Sequence, residues 1–240
     1  MIFKFKAGSD AWLQTRQNYI MATEVAPMFG LNPYTSLAEV FRNKVKPDRL
    51  DNKFLRAGKI YESSVIKAIE VDLGWDVGYL DGSGESSFIF ASPENHLAST
   101  PDAWRWDQPG LVEAKTTSIE KFDRYWRGNE PPLWYLAQVQ AQLFTTNMKT
   151  GYLVCLGLTP DPPLAIYEVE RNDLFTERTC QLAKSYWTKW QNGDSVRISS
   201  KDKEFGAAEL KRTTKLLHVT EAAPEITVPG NDILDYLFQG

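Results

Sequence analysis

Apolar positions divide the chain into predicted elements. From Phe54 to Leu73 they recur at helical spacing, with Val65, Ile66 and Ile69 on one face and Gly74 as the stop. A second long helix is predicted from the Asn172 cap. Its Phe175, Thr179, Leu182, Tyr186 and Trp190 share a face, and Gly193 closes it. A third runs from about Pro132 to Met148, with proline tolerated in its first turn. Shorter helices are predicted from Ser9 or Asp10 to Arg16 and from Thr23 to Gly30. Another starts at the Ser36/Glu39 capping box and runs toward Lys44. Strand patterns cover Phe88–Ala91, Leu97–Trp106 (interrupted by Pro101), Leu111–Thr116, Tyr152–Leu158 and Ala165–Val169. Beyond Ser199 the chain turns more polar and reads as an irregular, surface-draped or partner-contacting tail. The order of elements predicts an α/β fold with a mixed central β-sheet flanked by helices. The expected organisation is a single domain over 1–198 with a C-terminal extension, 199–240, packed on it.

Polar residues on this apolar frame carry the candidate chemistry. In Leu111-Val112-Glu113-Ala114-Lys115, residues two apart on a strand face the same way, so Glu113 and Lys115 project together. Taken alone, Glu-x-Lys is equally a surface ion pair. Upstream, across one turn, lies Thr100-Pro101-Asp102, and hairpin pairing of the two segments brings Asp102 beside Glu113. Two neighbouring carboxylates repel unless a cation lies between them. Hard oxygen ligands suit Mg²⁺, and a lysine nearby can orient water, which together supply the parts for metal-assisted phosphodiester hydrolysis. Glu62 shares a helix face with Val65, Ile66 and Ile69, a costly place for a charge unless it is paired or metal-bound. The plainer alternative is an edge glutamate paired with Lys59 or Arg56. Gln138 and Gln142 lie one turn apart beside Tyr135. Such amides can meet DNA or a metal-bound water, and Gln142 is read as a solvent-facing helix former.

Composition narrows the class. At 42% hydrophobic and 24% charged residues, the chain reads as an ordinary soluble globular protein. No apolar run approaches a membrane span, and Met-Ile-Phe-Lys-Phe-Lys lacks the apolar core of a secretory signal, so a cytoplasmic location is expected. Cys155 and Cys180 are expected to be buried free thiols. With His96 and His218 the only histidines, a zinc site is disfavoured. The net charge of −4 argues mildly against nucleic acid. Between Arg42 and Lys59, however, Arg42, Lys44, Lys46, Arg49, Lys53, Arg56 and Lys59 outnumber Asp48 and Asp51. That stretch is either a phosphate-tracking surface or a solvated helix face and loop.

Together these residues resemble the PD-(D/E)XK nuclease signature, and more narrowly the phage lambda exonuclease group of viral recombination nucleases. The resemblance runs from about Trp12 to Asn147. It comprises Trp12-x-x-x-Arg16, Ala22-Thr23-Glu24, Gly30-x-Asn32-Pro33-Tyr34, Gly58-x-x-x-Glu62, Thr100-Pro101-Asp102 with Glu113-Ala114-Lys115, and Tyr135-x-x-Gln138-x-Gln140. Glu-x-Lys alone is a weak signal, whereas these elements in order are a strong one. The resemblance implies that Asp102, Glu113 and the Ala114 carbonyl hold two Mg²⁺ ions, for which Mn²⁺ can substitute, with Glu62 completing the ligand set or positioning water. Lys115 steadies the nucleophilic water, and Gln138 supports Lys115 or the water. Arg16, Thr23, Thr100 and Lys121 match the residues that grip a 5′-phosphate. Thr23 and Thr100 stand where the group usually has serine, Ala114 where a branched residue is usual, and Ala103 where glycine is usual.

The implied protein is a phage- or prophage-encoded, ring-shaped homotrimer. It degrades one strand of linear double-stranded DNA from 5′ to 3′ into mononucleotides and leaves 3′ overhangs for a single-strand annealing protein. Three rivals remain in view. A restriction or repair endonuclease would share the core but has no reason for a pocket at Arg16 and Thr23. An iron–sulfur helicase-associated nuclease needs four cysteines. A non-catalytic DNA-binding module would leave the carboxylates dispensable.

Overall fold

A computed structural model describes residues 1–45 and 53–220, with the backbone alone for 53–59. In chain order the strands are β1 (Ile2–Lys6), β2 (Ile20–Met21), β3 (Val77–Gly78), β4 (Ser86–Ser92), β5 (Leu97–Ser99), β6 (Ala103–Arg105), β7 (Gly110–Ser118), β8 (Thr150–Leu158), β9 (Leu164–Glu170) and β10 (Thr214–Val219). The helices are α1 (Asp10–Gln17), α2 (Val25–Met28), α3 (Leu37–Val45), α4 (Lys53–Leu73), α5 (Ile119–Tyr125), α6 (Leu133–Thr146), α7 (Asp173–Gln191) and α8 (Ser200–Lys211).

The predicted caps account for several helix starts. Ser9 accepts from the Trp12 amide, and Asn172 from the Phe175 amide. Ser36 and Glu39 form the reciprocal pair of a capping box, with Glu39 accepting from the Ser36 amide at 2.7 Å. Gly74 ends α4 at a φ of 64°, where a side chain would be strained.

The expected mixed α/β architecture is present, with its strands divided between two sheets. One has the order β1-β4-β5-β2, the other β10-β9-β8-β7-β6-β3. The stretch predicted as one interrupted strand from Leu97 to Trp106 serves both: β5 pairs with β4, and β6 pairs with β7. Thr100-Pro101-Asp102 is where the chain crosses between sheets. Pro101 fits a crossing point because it has no amide to give to a ladder.

The central strand β8 is buried along almost its whole length and divides the core. Leu153 and Cys155 face a cluster formed with α2, α6 and α7, whereas Tyr152 and Val154 face Val65, Ile66 and Ile69 of α4. β7 and β8 are parallel, so a crossover must join them, and α5 and α6 supply it. α6 is buried without a break from Leu136 to Leu143, which makes it the central helix between the two sheets.

Two expectations are corrected here. The described part of the chain beyond Ser199, up to residue 220, is not irregular: it forms α8, capped by Ser199, and then β10, which pairs antiparallel with β9 at the sheet edge. Cys155 is buried as expected, but Cys180 is only half-buried. Within the basic stretch, Lys46 and Arg49 lie outside the described residues, as do the side chains of Lys53, Arg56 and Lys59.

Candidate active site

The strand alternation predicted from the sequence sets up the site. Val112 and Ala114 turn toward α4, while Leu111 and Glu113 turn toward α6. Ala103 pairs with Val112, so Asp102, one residue earlier, reaches the middle of β7 and accepts the Ala114 amide at 2.8 Å. Glu113 is almost fully buried, at 2% exposure. Its carboxylate contacts Lys115 and accepts hydrogen bonds from the Gln138 and Gln142 amides on successive turns of α6. Glu62 approaches from α4 on the other side of the sheet and lines the same cavity, of about 710 Å³, as Asp102, Glu113, Ala114, Lys115 and Gln138.

Gln142 is a correction. It is fully buried and bonded to Glu113, not solvent-facing, because α6 has no exposed face at that level. Its carbonyl oxygen finds no donor among the described residues. The third glutamine of the buried run, Gln140, does a different job: its amide donates to the Glu170 carbonyl, and its oxygen accepts from the Asn172 amide. It ties α6 to the start of α7.

The site's electrostatics are unbalanced. Loss of water around Asp102 and the neighbouring Glu113 carboxylate push its pKa well above the usual range, and Glu62 pushes the same way. Lys115 and the Ala114 amide pull it down, but by less. Burial works against a charged Lys115, yet Glu113 and Asp102 hold the ammonium above its ordinary range. The Tyr79 phenol, on the cavity wall, is raised by burial and by Glu62 and Asp102. Asp102 and Glu113 thus stand side by side on the wall of a partly closed space, with Lys115 beside them.

That space continues to the sequence-predicted phosphate residues. Arg16, Thr23 and Thr100 line the same cavity as the carboxylates. The Arg16 guanidinium lies 4.3 Å from the Trp12 ring centre and donates to the Thr100 hydroxyl at 3.3 Å. Behind it, in contacts that sequence reasoning missed, Lys44 donates to the Arg16 carbonyl at 3.3 Å and pairs with Glu24 at 2.6 Å. Glu24 also accepts from the Met21 amide, closing the turn that presents Thr23. Glu24 stands within the quoted Ala22-Thr23-Glu24 motif; Lys44 carried no such signal. Lys121 is not brought into this cavity. It is exposed on α5 and lines a neighbouring groove.

Among the described residues, no three His, Cys, Asp or Glu side chains cluster as a ready-made metal cage. The donor set nevertheless fits a hard divalent ion. Mg²⁺ is commonly held by one or two carboxylates, with water and substrate oxygens filling the rest. Asp102 and Glu113, with the Ala114 carbonyl, offer that set, and the mutual repulsion at Asp102 is what a cation would relieve.

Residues 11–149 match the YqaJ-like viral recombinase domain. The chain belongs to that family. No curated protein sequence matches the chain. The model is similar to the crystal structure of an alkaline exonuclease (LHK-Exo) from Laribacter hongkongensis. The identity is 16% and the TM-score 0.62, covering 85% of this chain and all of that one. A second structure of that enzyme, in complex with dAMP, matches to the same extent. A phage-related exonuclease from Haemophilus somnus 129PT is similar at 11% identity and a TM-score of 0.53, covering 73% of this chain and 96% of that one. The chain thus shares the fold of these structures. No helix among the described residues is long and apolar enough to cross a membrane.

Proposed function

We propose that the protein is a Mg²⁺-dependent 5′-to-3′ exonuclease acting on linear double-stranded DNA. The observation that carries this reading is that one cavity is lined both by Asp102, Glu113 and Lys115 and by Arg16, Thr23 and Thr100. The first set suits phosphodiester hydrolysis. The second suits a terminal phosphate, because a guanidinium offers a planar fork and hydroxyls donate to phosphate oxygens. The dAMP held by the Laribacter relative is consistent with a mononucleotide product.

Arg16, Thr23 and Thr100 hold the 5′-phosphate and so measure the strand end against the carboxylates. Lys115 orients the attacking water by hydrogen bonding. Gln138 and Gln142 fix the orientation of the Glu113 carboxylate through one hydrogen bond to each of its oxygens. Asp102, Glu113 and the Ala114 carbonyl would hold Mg²⁺, two ions in the full reading, with Glu62 completing the set. When bound, the metal supplies charge neutralisation on the scissile phosphate and a more acidic water. Release of mononucleotides with 3′ overhangs, a homotrimeric ring and an annealing-protein partner complete the proposal, as does the division of the chain at about residue 198.

The decisive assay is digestion of linear duplex bearing either a 5′-phosphate or a 5′-hydroxyl, with and without Mg²⁺. Mononucleotide release should need the metal and favour the phosphate. Equal rates on both ends would remove the phosphate pocket, and cutting of closed circular duplex would point to an endonuclease. A monomer at working concentration would count against the ring.

A further inference from the structure

Lys121 lines a groove of about 440 Å³ beside the candidate active site. The two spaces share Lys115, Thr116 and Tyr135. The groove is a run of aromatic rings. The Lys115 ammonium lies 4.9 Å from the Tyr135 ring centre, Tyr135 is 5.6 Å from Trp134, and Trp134 is 5.9 Å edge-on from Tyr34. Tyr125 touches Trp134 from the α5 side at 6.1 Å. The rings thus lead outward from the lysine of the active site to a tyrosine at the surface.

Three features are poorly explained by packing alone. Tyr34 is 65% exposed, a large apolar surface left in water. Its backbone is held by a turn in which Asn32 accepts from the Tyr34 and Thr35 amides. The Trp134 indole N–H is buried and finds no acceptor among the described residues, an uncommon condition for an indole. The polar lining of the groove includes Lys121, Lys115, Thr116, Thr117 and Ser118, with no carboxylate among the described residues. Lys115 is already paired with Glu113, so Lys121 is the cation this groove offers to an anion.

We infer that this groove binds single-stranded DNA, namely the nucleotides on the 3′ side of the scissile phosphate in the strand being degraded. The inference rests on the nuclease reading of the adjoining cavity. If the terminal phosphate lies at Arg16 and the scissile one near Lys115, the strand's next phosphates continue past Thr116 toward Lys121. Aromatic rings beside cations are the sequence-tolerant means of holding unpaired bases. Stacking on these rings requires unpaired bases, so the strand held here is separated from its complement. Lys121 therefore acts on an internal phosphate and not on the 5′-terminal one.

The test is equilibrium binding by the full chain in EDTA, where no digestion intervenes. The ligands are a 5′-phosphorylated, 3′-fluorescein oligothymidylate and the mononucleotide 5′-dTMP. Tyr34→Ala and Lys121→Ala alter exposed side chains and leave the core untouched. Each is expected to weaken the oligonucleotide about tenfold and leave dTMP binding unchanged, since dTMP occupies only the Arg16 end. Lys121→Ala should also lower the salt dependence of oligonucleotide binding by about 0.7 in the log–log slope, the loss of one phosphate contact. Unchanged oligonucleotide affinity, absence of oligonucleotide binding by the native chain, or equal weakening of dTMP would each overturn the inference. Failure of the nuclease reading shows elsewhere, as missing Mg²⁺-dependent digestion by the native protein.

Discussion

Two enclosed aspartates, Asp102 and Asp202, sit in contrasting company. Burial opposes a charged Asp202, but the Ser199 hydroxyl and the Arg178 guanidinium more than offset it and hold its carboxyl below the usual range. It accepts from the hydroxyl of Ser199, the residue that caps α8, and fastens that helix to α7 through Arg178. Asp102 has the Ala114 amide and the nearby Lys115, yet desolvation and the Glu113 and Glu62 charges push it the other way. Every demand of the first carboxylate is met inside the chain. The second is placed where the chain alone leaves it unfavourable, as expected for a group that completes its environment with something bound. Removing Asp202 should therefore cost stability and spare chemistry, and removing Asp102 should do the reverse.

The largest expected effect is on catalysis. Asp102→Ala or Lys115→Ala should lower digestion of 5′-phosphorylated duplex by roughly a thousandfold or more, as several kcal/mol of lost transition-state stabilisation implies. Thermal unfolding in EDTA should show Asp102→Asn at least as stable as the native chain, because an unfavourable charge has gone. Adding Mg²⁺ should raise the melting temperature of the native chain but not of Asp102→Asn. A large loss of stability in EDTA would make Asp102 a scaffold residue like Asp202 and dissolve the contrast.

Next in size is the far end of the cavity. Arg16→Ala should cost about 10- to 100-fold on 5′-phosphorylated ends, the range for a lost charge-assisted hydrogen bond, and much less on 5′-hydroxyl ends. A uniform loss on both would mean that Arg16 only packs against Trp12. Gln142→Met keeps the volume and removes the bond to Glu113. As a positioning residue, Gln142 should give about a tenfold loss that is partly recovered at higher Mg²⁺. A loss that is independent of metal concentration would argue for plain core damage.

The arrangement of the candidate site was more legible in the sequence than its surroundings, and the reason is locality. Glu113 and Lys115 share a face because strand geometry makes them do so, and the caps of α1, α3 and α7 follow from residues three apart. Gln142 was misread because α6 is buried on all sides, so its sequence has no polar face to separate inside from outside. β10 was missed because its partner β9 lies far away along the chain, and a short, half-polar edge strand has little pattern of its own. The split of residues 97–106 between two sheets is likewise a matter of partners, with only Pro101 to mark it. Lys121 was assigned to the terminal phosphate through resemblance, whereas its actual neighbours depend on how α5 seats between β7 and α6.

The smallest effect tests the other aspartate. Because the folded pKa of Asp202 is depressed, its contribution to stability is complete above the unfolded value, about 3.9. It is lost as the pH falls through the folded value, where the folded state must take up a proton it had excluded. Asp202→Asn removes the charge at every pH. At neutral pH the variant should be less stable by about 1 kcal/mol in urea unfolding, a modest figure because Arg178 is partly exposed. As the pH falls from about 4 through the depressed folded value, the two stability curves should converge, since the native carboxyl then becomes neutral as well. Parallel curves down to strongly acid pH would show that the Arg178 contact contributes nothing through charge. Asp202 would then act on α8 only through its hydrogen bond with the Ser199 hydroxyl, and its difference from Asp102 would be one of geometry and not of electrostatics.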